Sequence, residues 1–409
     1  MDLTPQRRVV LGLQHTVAMF GATVLVPLLT GLDPSVALVA AGAGTLLFHL
    51  VTGRIVPVFL GSSFAFIAPI IAAANDGFSW GAIGGGIAAA GLIYVIVSVI
   101  ITFVGSRVIR RLFPPVVTGP VIAVIGITLA PVAVNNSAEL WWLAIVTLVA
   151  TIVAAVYFRG LFKMLPILTG IVVGYLVAWV AGEVDFAALS EAKWLAWPNF
   201  TLGSFDWEAI VMIAPVAFVT MIEHVGDILT NGRVVGKDFF EKPGLNRTML
   251  GDGLATILAG MIGGPANTTY SENTGVLAVT RVYDPAVLRI GAVFALALGF
   301  VPKFGGLLRT VPLPVLGGLS IVLFGMIASI GMRTLAEAQV DFTHSRNLIV
   351  VALILVLGLG VSGLATPLEI GGVQVSGLAL AAVVGVIANL ILPIELEAED
   401  VQAGPGGMD

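Results

Sequence analysis

Long apolar stretches constrain this chain more than any other feature of its sequence. Runs of about twenty residues, each long enough to cross the roughly 30 Å core of a bilayer as a helix, recur from Val9 to Pro393. Of the 409 residues, 58% are hydrophobic and only 11% are charged, against about a quarter charged in an ordinary soluble domain. A soluble enzyme is therefore excluded. The few charges form no basic surface for nucleic acid, and the absence of cysteine excludes thiol chemistry.

The apolar runs predict an all-α polytopic membrane protein with fourteen transmembrane segments in two series of seven. The first series covers residues 9–29, 35–53, 63–75, 81–104, 115–131, 139–157 and 163–181. The second covers 207–230, 247–263, 271–282, 286–305, 313–332, 346–362 and 374–393. With the N-terminus in the cytoplasm, this count places all but three of the 19 Lys and Arg residues on the cytoplasmic side. We therefore predict a multi-pass protein of the cytoplasmic (inner) membrane with both termini in the cytoplasm.

The two series resemble each other. The sequence PVVTG from residue 115 matches PVLGG from residue 314, and Gln14-His15 parallels Glu223-His224. Because each series has an odd number of passes, two in tandem have opposite orientations, which is the inverted-repeat plan of secondary transporters. We predict a first repeat over 1–182, an extracytoplasmic connector over 183–206, a second repeat over 207–394 and an acidic cytoplasmic tail over 395–409.

The third and tenth segments are too short to cross the membrane, and they occupy corresponding places in the two repeats. Each follows a stretch rich in strand-forming and hydroxyl residues, at 61–64 and at 267–270. Two short strands that pair there would satisfy the non-helical backbone and bring two half-helix N-termini to the bilayer centre. Their free backbone N–H groups could bind carbonyl oxygens or anions. The alternative is a pair of ordinary helices broken by Gly and Pro.

Few ionisable residues lie within the predicted membrane depth, where a carboxylate costs about 2.5–3.5 kcal/mol on insertion scales. They are His15, His49, Glu223, His224, Asp227, Asp252 and Glu272. Glu223 and Asp227 share a helix face, and Glu272 begins the tenth segment, where the helix dipole favours a carboxylate. A fixed Glu272 and a titratable Glu223 suit a neutral planar ligand with N–H donors better than a metal ion. A purely structural role stays open for each residue, and we expect it for His49 and His224.

At these residues the sequence resembles the nucleobase-ascorbate transporter family, also called the second family of nucleobase:cation symporters, and especially its bacterial uracil permeases. The family signature of an acid, amide or proline, then Asn-x-Gly, four residues and Thr-basic, runs from Glu272 to Arg281. Three other blocks match in the right order, and together the motifs span nearly the whole chain. These blocks begin at Gln14, Gly61 and Glu223.

The resemblance implies a core domain (9–104 and 207–305) beside a gate domain (115–181 and 313–393), in a homodimer that moves a nucleobase by alternating access. It implies that Glu223 and Glu272 bind the ring N–H groups, and that backbone N–H groups of Phe64 and Ser271 bind the ring carbonyls. Proton coupling would pass through Glu223 with Asp227, and a proton gradient would supply the energy without a cofactor. The other implied site residues are Ser63 and Tyr270 in the substrate site and His15, Asn273 and Phe324 in support.

Three positions depart from the uracil permease pattern. Ser271 replaces a Gly, Asp227 replaces a His, and Phe324 replaces a gate-side Tyr. We expect uracil as the substrate, and a xanthine or other purine transporter of the same family is the alternative. An anion transporter of the same architecture fits less well because carboxylates would repel anions. An intramembrane enzyme also fits less well, because aspartyl proteolysis needs two Asp residues that share a proton.

Overall fold

The computed structural model describes residues 4–105, 111–159, 165–364, 368–370 and 373–393. Within these ranges the chain is mostly helical. The first half contains α1 (Pro5–Thr30), α2 (Pro34–Val51), β1 (Leu60–Ser62), α3 (Ile67–Asn75), α4 (Trp80–Val104), α5 (Pro115–Thr128), α6 (Ala130–Ala138), α7 (Trp141–Tyr157), α8 (Pro166–Ala181) and α9 (Ala187–Glu191). The second half contains α10 (Trp207–Ile213), α11 (Ala217–Val235), α12 (Leu245–Ile262), β2 (Asn267–Thr269), α13 (Ser271–Thr280), α14 (Pro285–Gly299), α15 (Pro302–Arg309), α16 (Leu313–Glu337), α17 (Ser345–Ser362), β3 (Glu369–Ile370), β4 (Val373–Gln374) and α18 (Gly377–Ile391).

Helices occupy all fourteen predicted positions. Seven spans among the described residues are long and apolar enough to cross a membrane alone. In this count α5 and α6 form one span, and α10 and α11 form another. The bent pair α14 and α15 adds an eighth, and several of the remaining positions hold shorter apolar helices. The chain is therefore a multi-pass membrane protein. The predicted acidic tail over 395–409 and the first residues of the predicted helix 163–181 lie outside the described residues.

Two of the predicted helices differ from the structure at one end. The predicted helix 286–305 ends at Gly299, and α15 leaves it at an angle of 80°. Pro302 explains this bend, because the residue before a proline is disfavoured in the α conformation. The predicted helix 374–393 begins only at Gly377, because its first predicted residue belongs to β4, which pairs antiparallel with β3.

The helices pack into two bundles. The core bundle contains α1–α4 and α10–α14, and the gate bundle contains α5–α8 and α16–α18. Glycines allow close helix packing within each bundle: Gly84 of α4 lies against Gly260 of α12 in the core, and Gly119 of α5 lies against Gly331 of α16 in the gate. Such small residues are what membrane helices need at their contacts, since lipid gives no hydrophobic drive for helix association.

The predicted strands are present and join the two halves of the core bundle. β1 and β2 pair antiparallel, with Gly61 opposite Thr268, and this is the arrangement that two inverted repeats require. Main-chain hydrogen bonds continue beyond the strands, from Ser63 N to Ala266 O at 2.8 Å and from Tyr270 N to Phe59 O at 3.0 Å. The paired strands therefore satisfy extended backbone inside the membrane. The prediction of two short strands before two half-helices is confirmed.

Candidate functional site

Each strand leads directly into the N-terminus of a half-helix. Ser63 precedes the 3-10 turn Phe64–Phe66 that begins the first half-helix, and Tyr270 precedes α13. Both N-cap residues are extended, and neither side chain accepts a hydrogen bond from the following turn. The first helical turns, which begin at Phe64 and Ser271, therefore have no side-chain cap from the preceding residue. A helix N-terminus that binds a carbonyl oxygen needs backbone N–H groups that are uncapped in this way.

Glu272 lines a cavity of about 400 Å³ between the two bundles. Its carboxylate belongs to the first turn of α13, where the helix dipole favours a negative charge. Gly275 and Val279 continue the cavity wall along the same face of α13. The other lining residues are Val17, Ala18 and Gly21 of the core bundle, and Leu165, Pro166, Ile167, Leu168, Leu323 and Met326 on the gate side. A volume of this size is typical of a small-molecule site.

Glu223 lies on α11, which packs against α13. Its Oε2 atom is buried and has no hydrogen-bond partner among the described residues. The carboxyl groups of Glu223, Asp227, Asp252 and Glu272 are close enough to interact electrostatically. A buried carboxylate oxygen without a partner needs a ligand, a proton or a water molecule, since leaving it bare is costly.

Asp227 is held by the strand pair. The Thr269 hydroxyl donates a hydrogen bond of 3.0 Å to Asp227 Oδ2. One turn earlier, Glu223 has a buried oxygen free, so the two acids on this face of α11 have different surroundings. The structure therefore links Asp227 to β2, which the sequence did not indicate.

The His224 side chain points away from Glu223 and Asp227. Its Nδ1 lies 3.1 Å from Asp252 Oδ2 on α12, without the alignment of a hydrogen bond, and both side chains are fully buried. The ring of Tyr94 stands edge-on to the His224 ring, with centroids 6.4 Å apart. This group lies within the core bundle and joins α4, α11 and α12. The pairing of His224 with Asp252 was missed, because the two residues lie on different helices and share no motif.

An aromatic contact connects the first half-helix to the gate bundle. The rings of Phe64 and Phe324 stand edge-on, with centroids 6.2 Å apart and an interplanar angle of 73°. Both side chains are buried. The structure therefore brings together two predicted site residues that are 260 positions apart in the chain.

The remaining predicted residues support the strands and helices. The Tyr270 hydroxyl donates to Ser62 O at 2.9 Å and lies 3.3 Å from the Thr23 hydroxyl, so it is already engaged. Asn273 Nδ2 donates to His15 O at 3.0 Å and lies 3.1 Å from His15 Nδ1, which ties α13 to α1. Ser63 is fully buried, and its hydroxyl has no partner in the described part of the chain. Substrate contact by Tyr270 and Ser63 stays a prediction.

Of the predicted substrate-binding residues, Glu272 lines the cavity, whereas Glu223, Phe64, Ser63, Ser271 and Tyr270 are not among its described lining residues. The gate-side wall at 165–168 and Met326 was not predicted. Apolar residues in an apolar helix carry no signal that distinguishes a cavity wall from a lipid-facing surface. Among the described residues, no three His, Asp or Glu side chains are grouped to hold a metal ion.

Comparison with known proteins agrees with this architecture. A sequence model described as the Permease family matches residues 6–366. The "Uracil permease" of Bacillus caldolyticus is 49% identical over 401 residues, which cover 94% of this chain and 92% of that protein. The "Uracil permease" of Bacillus subtilis is 46% identical over 419 residues, covering 98% of this chain and 95% of that protein.

Solved structures show the same fold at low sequence identity. The transmembrane domain of the cyanobacterial bicarbonate transporter BicA matches with a TM-score of 0.63 at 14% identity, covering 95% of this chain and 98% of that one. The family model and the two Bacillus relatives cover nearly the whole length at high identity. The chain therefore belongs to this permease family, the nucleobase-ascorbate transporters that its motifs predicted, and is a membrane transporter rather than an enzyme.

Proposed function

We propose that this chain is a proton-coupled uracil uptake transporter that works by alternating access between the core and gate bundles. One observation carries the proposal: Glu272, at the N-terminus of a half-helix, lines a cavity of about 400 Å³ between the bundles. The neighbouring Glu223 contributes a buried carboxylate oxygen without a partner among the described residues. The names of the Bacillus relatives supply the substrate.

Uracil matches the donors and acceptors of this site. The ring carries two N–H donors and two carbonyl acceptors. Glu223 and Glu272 would accept from the N–H groups, while the backbone N–H groups of Phe64 and Ser271 would donate to the carbonyls. The Phe64 ring, which packs on Phe324, would cover the base from one side. The carboxylates of Glu223 and Glu272 would repel an anion. For this reason an anionic substrate is not favoured, although the chain shares its fold with a bicarbonate transporter.

Proton coupling would arise at Glu223. Protonation changes this carboxyl group from an acceptor into a donor, so proton occupancy and base affinity become linked. Asp227 already accepts a hydrogen bond from Thr269, so it would act beside Glu223 in the coupling, from a fixed position. A proton gradient would supply the energy, and no cofactor would be needed.

We place the protein in the cytoplasmic membrane as a homodimer with both termini in the cytoplasm. The distribution of Lys and Arg residues supports this orientation. With this orientation, the cavity lies on the cytoplasmic side of Glu272. The cavity wall follows α13 from Glu272 to Val279, toward Arg281.

The decisive experiment measures uptake of labelled uracil into proteoliposomes that contain the full chain, with an imposed proton gradient. We expect accumulation that collapses with a protonophore, competition by unlabelled uracil, and weak competition by xanthine. Bicarbonate is the control for anion transport. Stronger competition by xanthine than by uracil would favour the purine alternative, and no uptake of any base would contradict the proposal.

A further inference from the structure

The cavity beside Glu272 is bounded at one point by a direct contact between the two bundles. Gly21 of α1 belongs to the core bundle, and Ile167 of α8 belongs to the gate bundle. Both residues line the cavity. A Cβ atom added to Gly21 would lie 2.5 Å from Ile167 Cγ2 and 3.1 Å from Ile167 Cβ. Only a hydrogen atom fits between the α1 backbone and this side chain.

This contact differs from the close glycine contacts inside each bundle. Gly84 with Gly260 and Gly119 with Gly331 join helices of one bundle. Gly21 with Ile167 joins core to gate, so the contact must change whenever the bundles move relative to each other. Glycine inside a helix is intrinsically less favourable than alanine. The close approach to Ile167 therefore explains why a glycine occupies the middle of α1.

Ile167 is a rigid boundary. A β-branched side chain in a helix has one strongly preferred rotamer, so it cannot rotate aside to admit a larger neighbour. The gate wall continues with Leu168, whose backbone N would lie 3.6 Å from a Cβ at position 21. The bulk of the side chains at positions 21 and 167 thus sets the width of the cavity at this edge.

We propose that Gly21 and Ile167 form a steric size filter at the edge of the cavity, which limits the cavity width so that a monocyclic base fits and a bicyclic purine does not. The inference rests on the proposed function and adds a specificity-determining pair that contributes no hydrogen bond. The combined size of the side chains at positions 21 and 167 is then the one variable that determines which bases fit. Ile167→Ala lowers the bulk and Gly21→Ala raises it, while the double variant compensates one change with the other.

The test compares these three variants with the wild-type chain in proteoliposomes, using labelled uracil with xanthine and hypoxanthine as competitors. Ile167→Ala should increase competition by the purines about tenfold and change the KM for uracil by less than about threefold, the discrimination expected from hydrophobic pocket volume. Gly21→Ala should lower uracil uptake about tenfold or more, and Ile167→Ala in the same chain should restore it to within about threefold of wild type.

Two matched controls separate the filter from general damage. Gly360→Ala changes a glycine in helix α17 where an added Cβ meets nothing within 4 Å. Val172→Ala truncates a side chain on α8 that is 47% exposed. Both should leave uracil uptake and purine competition unchanged. A cooperative thermal unfolding transition, measured without uracil, reports whether each variant is folded.

The outcomes distinguish the filter from the proposed function. If wild-type protein takes up no labelled uracil, the proposed function fails first. If it takes up uracil but Ile167→Ala leaves purine competition unchanged, the size filter is overturned. Full activity of Gly21→Ala, or failure of Ile167→Ala to rescue a folded Gly21→Ala protein, would also overturn it. If Gly21→Ala does not fold, purine competition in Ile167→Ala decides alone.

Discussion

The two half-helix regions occupy equivalent places in the two halves of the chain, yet they carry different chemistry. The first begins with Phe64, Ala65 and Phe66 in a 3-10 turn, all of them buried. The second begins as a regular α-helix with Ser271, Glu272 and Asn273. Pro69 accounts for part of the difference in geometry. It lacks the N–H that would bond to the Ala65 carbonyl, so regular α-helix starts only at Ile67.

Both regions deliver a strand and a helix N-terminus to the same place, so backbone donors are supplied twice. The carboxylate and the amide come from the second region alone, and the first contributes an aromatic wall through Phe64 and Phe324. The two regions therefore share a strand followed by a helix N-terminus, and they differ in the side chains of the first helical turn. Four predictions test whether the second half-helix contributes the polar groups and the first contributes an aromatic contact.

The largest effect on uracil affinity is expected for Glu272→Gln in the second half-helix. The amide keeps the shape but loses the charge that strengthens a hydrogen bond to a ring N–H, a loss of about 2 kcal/mol or roughly 30-fold in uracil affinity. Thermal stabilisation by uracil measures this loss. Asp76→Asn, at the exposed C-terminal end of α3, is the matched control and should bind normally. Unchanged affinity in Glu272→Gln would remove the asymmetry between the two regions.

Glu223→Gln should separate binding from coupling. The amide cannot exchange a proton, so uptake driven by a proton gradient should be lost, while uracil binding falls by about tenfold or less. Proteoliposome uptake with and without a gradient, beside equilibrium binding, measures the two effects. Gradient-driven accumulation at the wild-type level in this variant would show that the coupling proton binds elsewhere.

Phe64→Ala tests the aromatic role of the first half-helix. The substitution removes the contact with Phe324 and the cover over the base, and an aromatic pair contributes about 0.5–1.5 kcal/mol, so affinity should fall about two- to thirteenfold. Phe103→Ala is the control, because its side chain on α4 is 84% exposed. A loss of uracil affinity as large as that of Glu272→Gln would mean that Phe64 contributes more to binding than an aromatic contact on one side of the base.

The smallest effect on transport is expected for Tyr270→Phe. The variant loses the hydroxyl that donates to Ser62 O across the strand pair, so stability should fall by about 1 kcal/mol while uracil affinity stays within about twofold. Thermal unfolding and ligand binding are measured on the same sample. Tyr157→Phe, whose ring is 74% exposed, is the control. A tenfold loss of affinity would instead identify the Tyr270 hydroxyl as a substrate ligand.

Much of the fold was predictable from local pattern. Apolar runs located the helices, and the hydroxyl-rich stretches before two short segments located the strand pair, because these features depend on bilayer thickness and backbone hydrogen bonding. The 80° bend between α14 and α15 was missed even though Pro302 marks it, because the apolar pattern continues through the proline. The pairing of β3 with β4 was missed as well, because strands of two residues are too short to show a period.

The site divides in the same way. The sequence by itself determined that Glu223, Asp227 and Glu272 belong to apolar segments and that Glu272 begins a half-helix, because apolar runs and motif spacing are local features. Only the tertiary structure decided that Thr269 holds Asp227, that Asp252 faces His224, and that Ile167 touches Gly21 beside the cavity. These pairs join residues on different elements, most of them far apart in the chain. Their distances follow from how whole helices pack, and no local pattern of apolar residues encodes that packing.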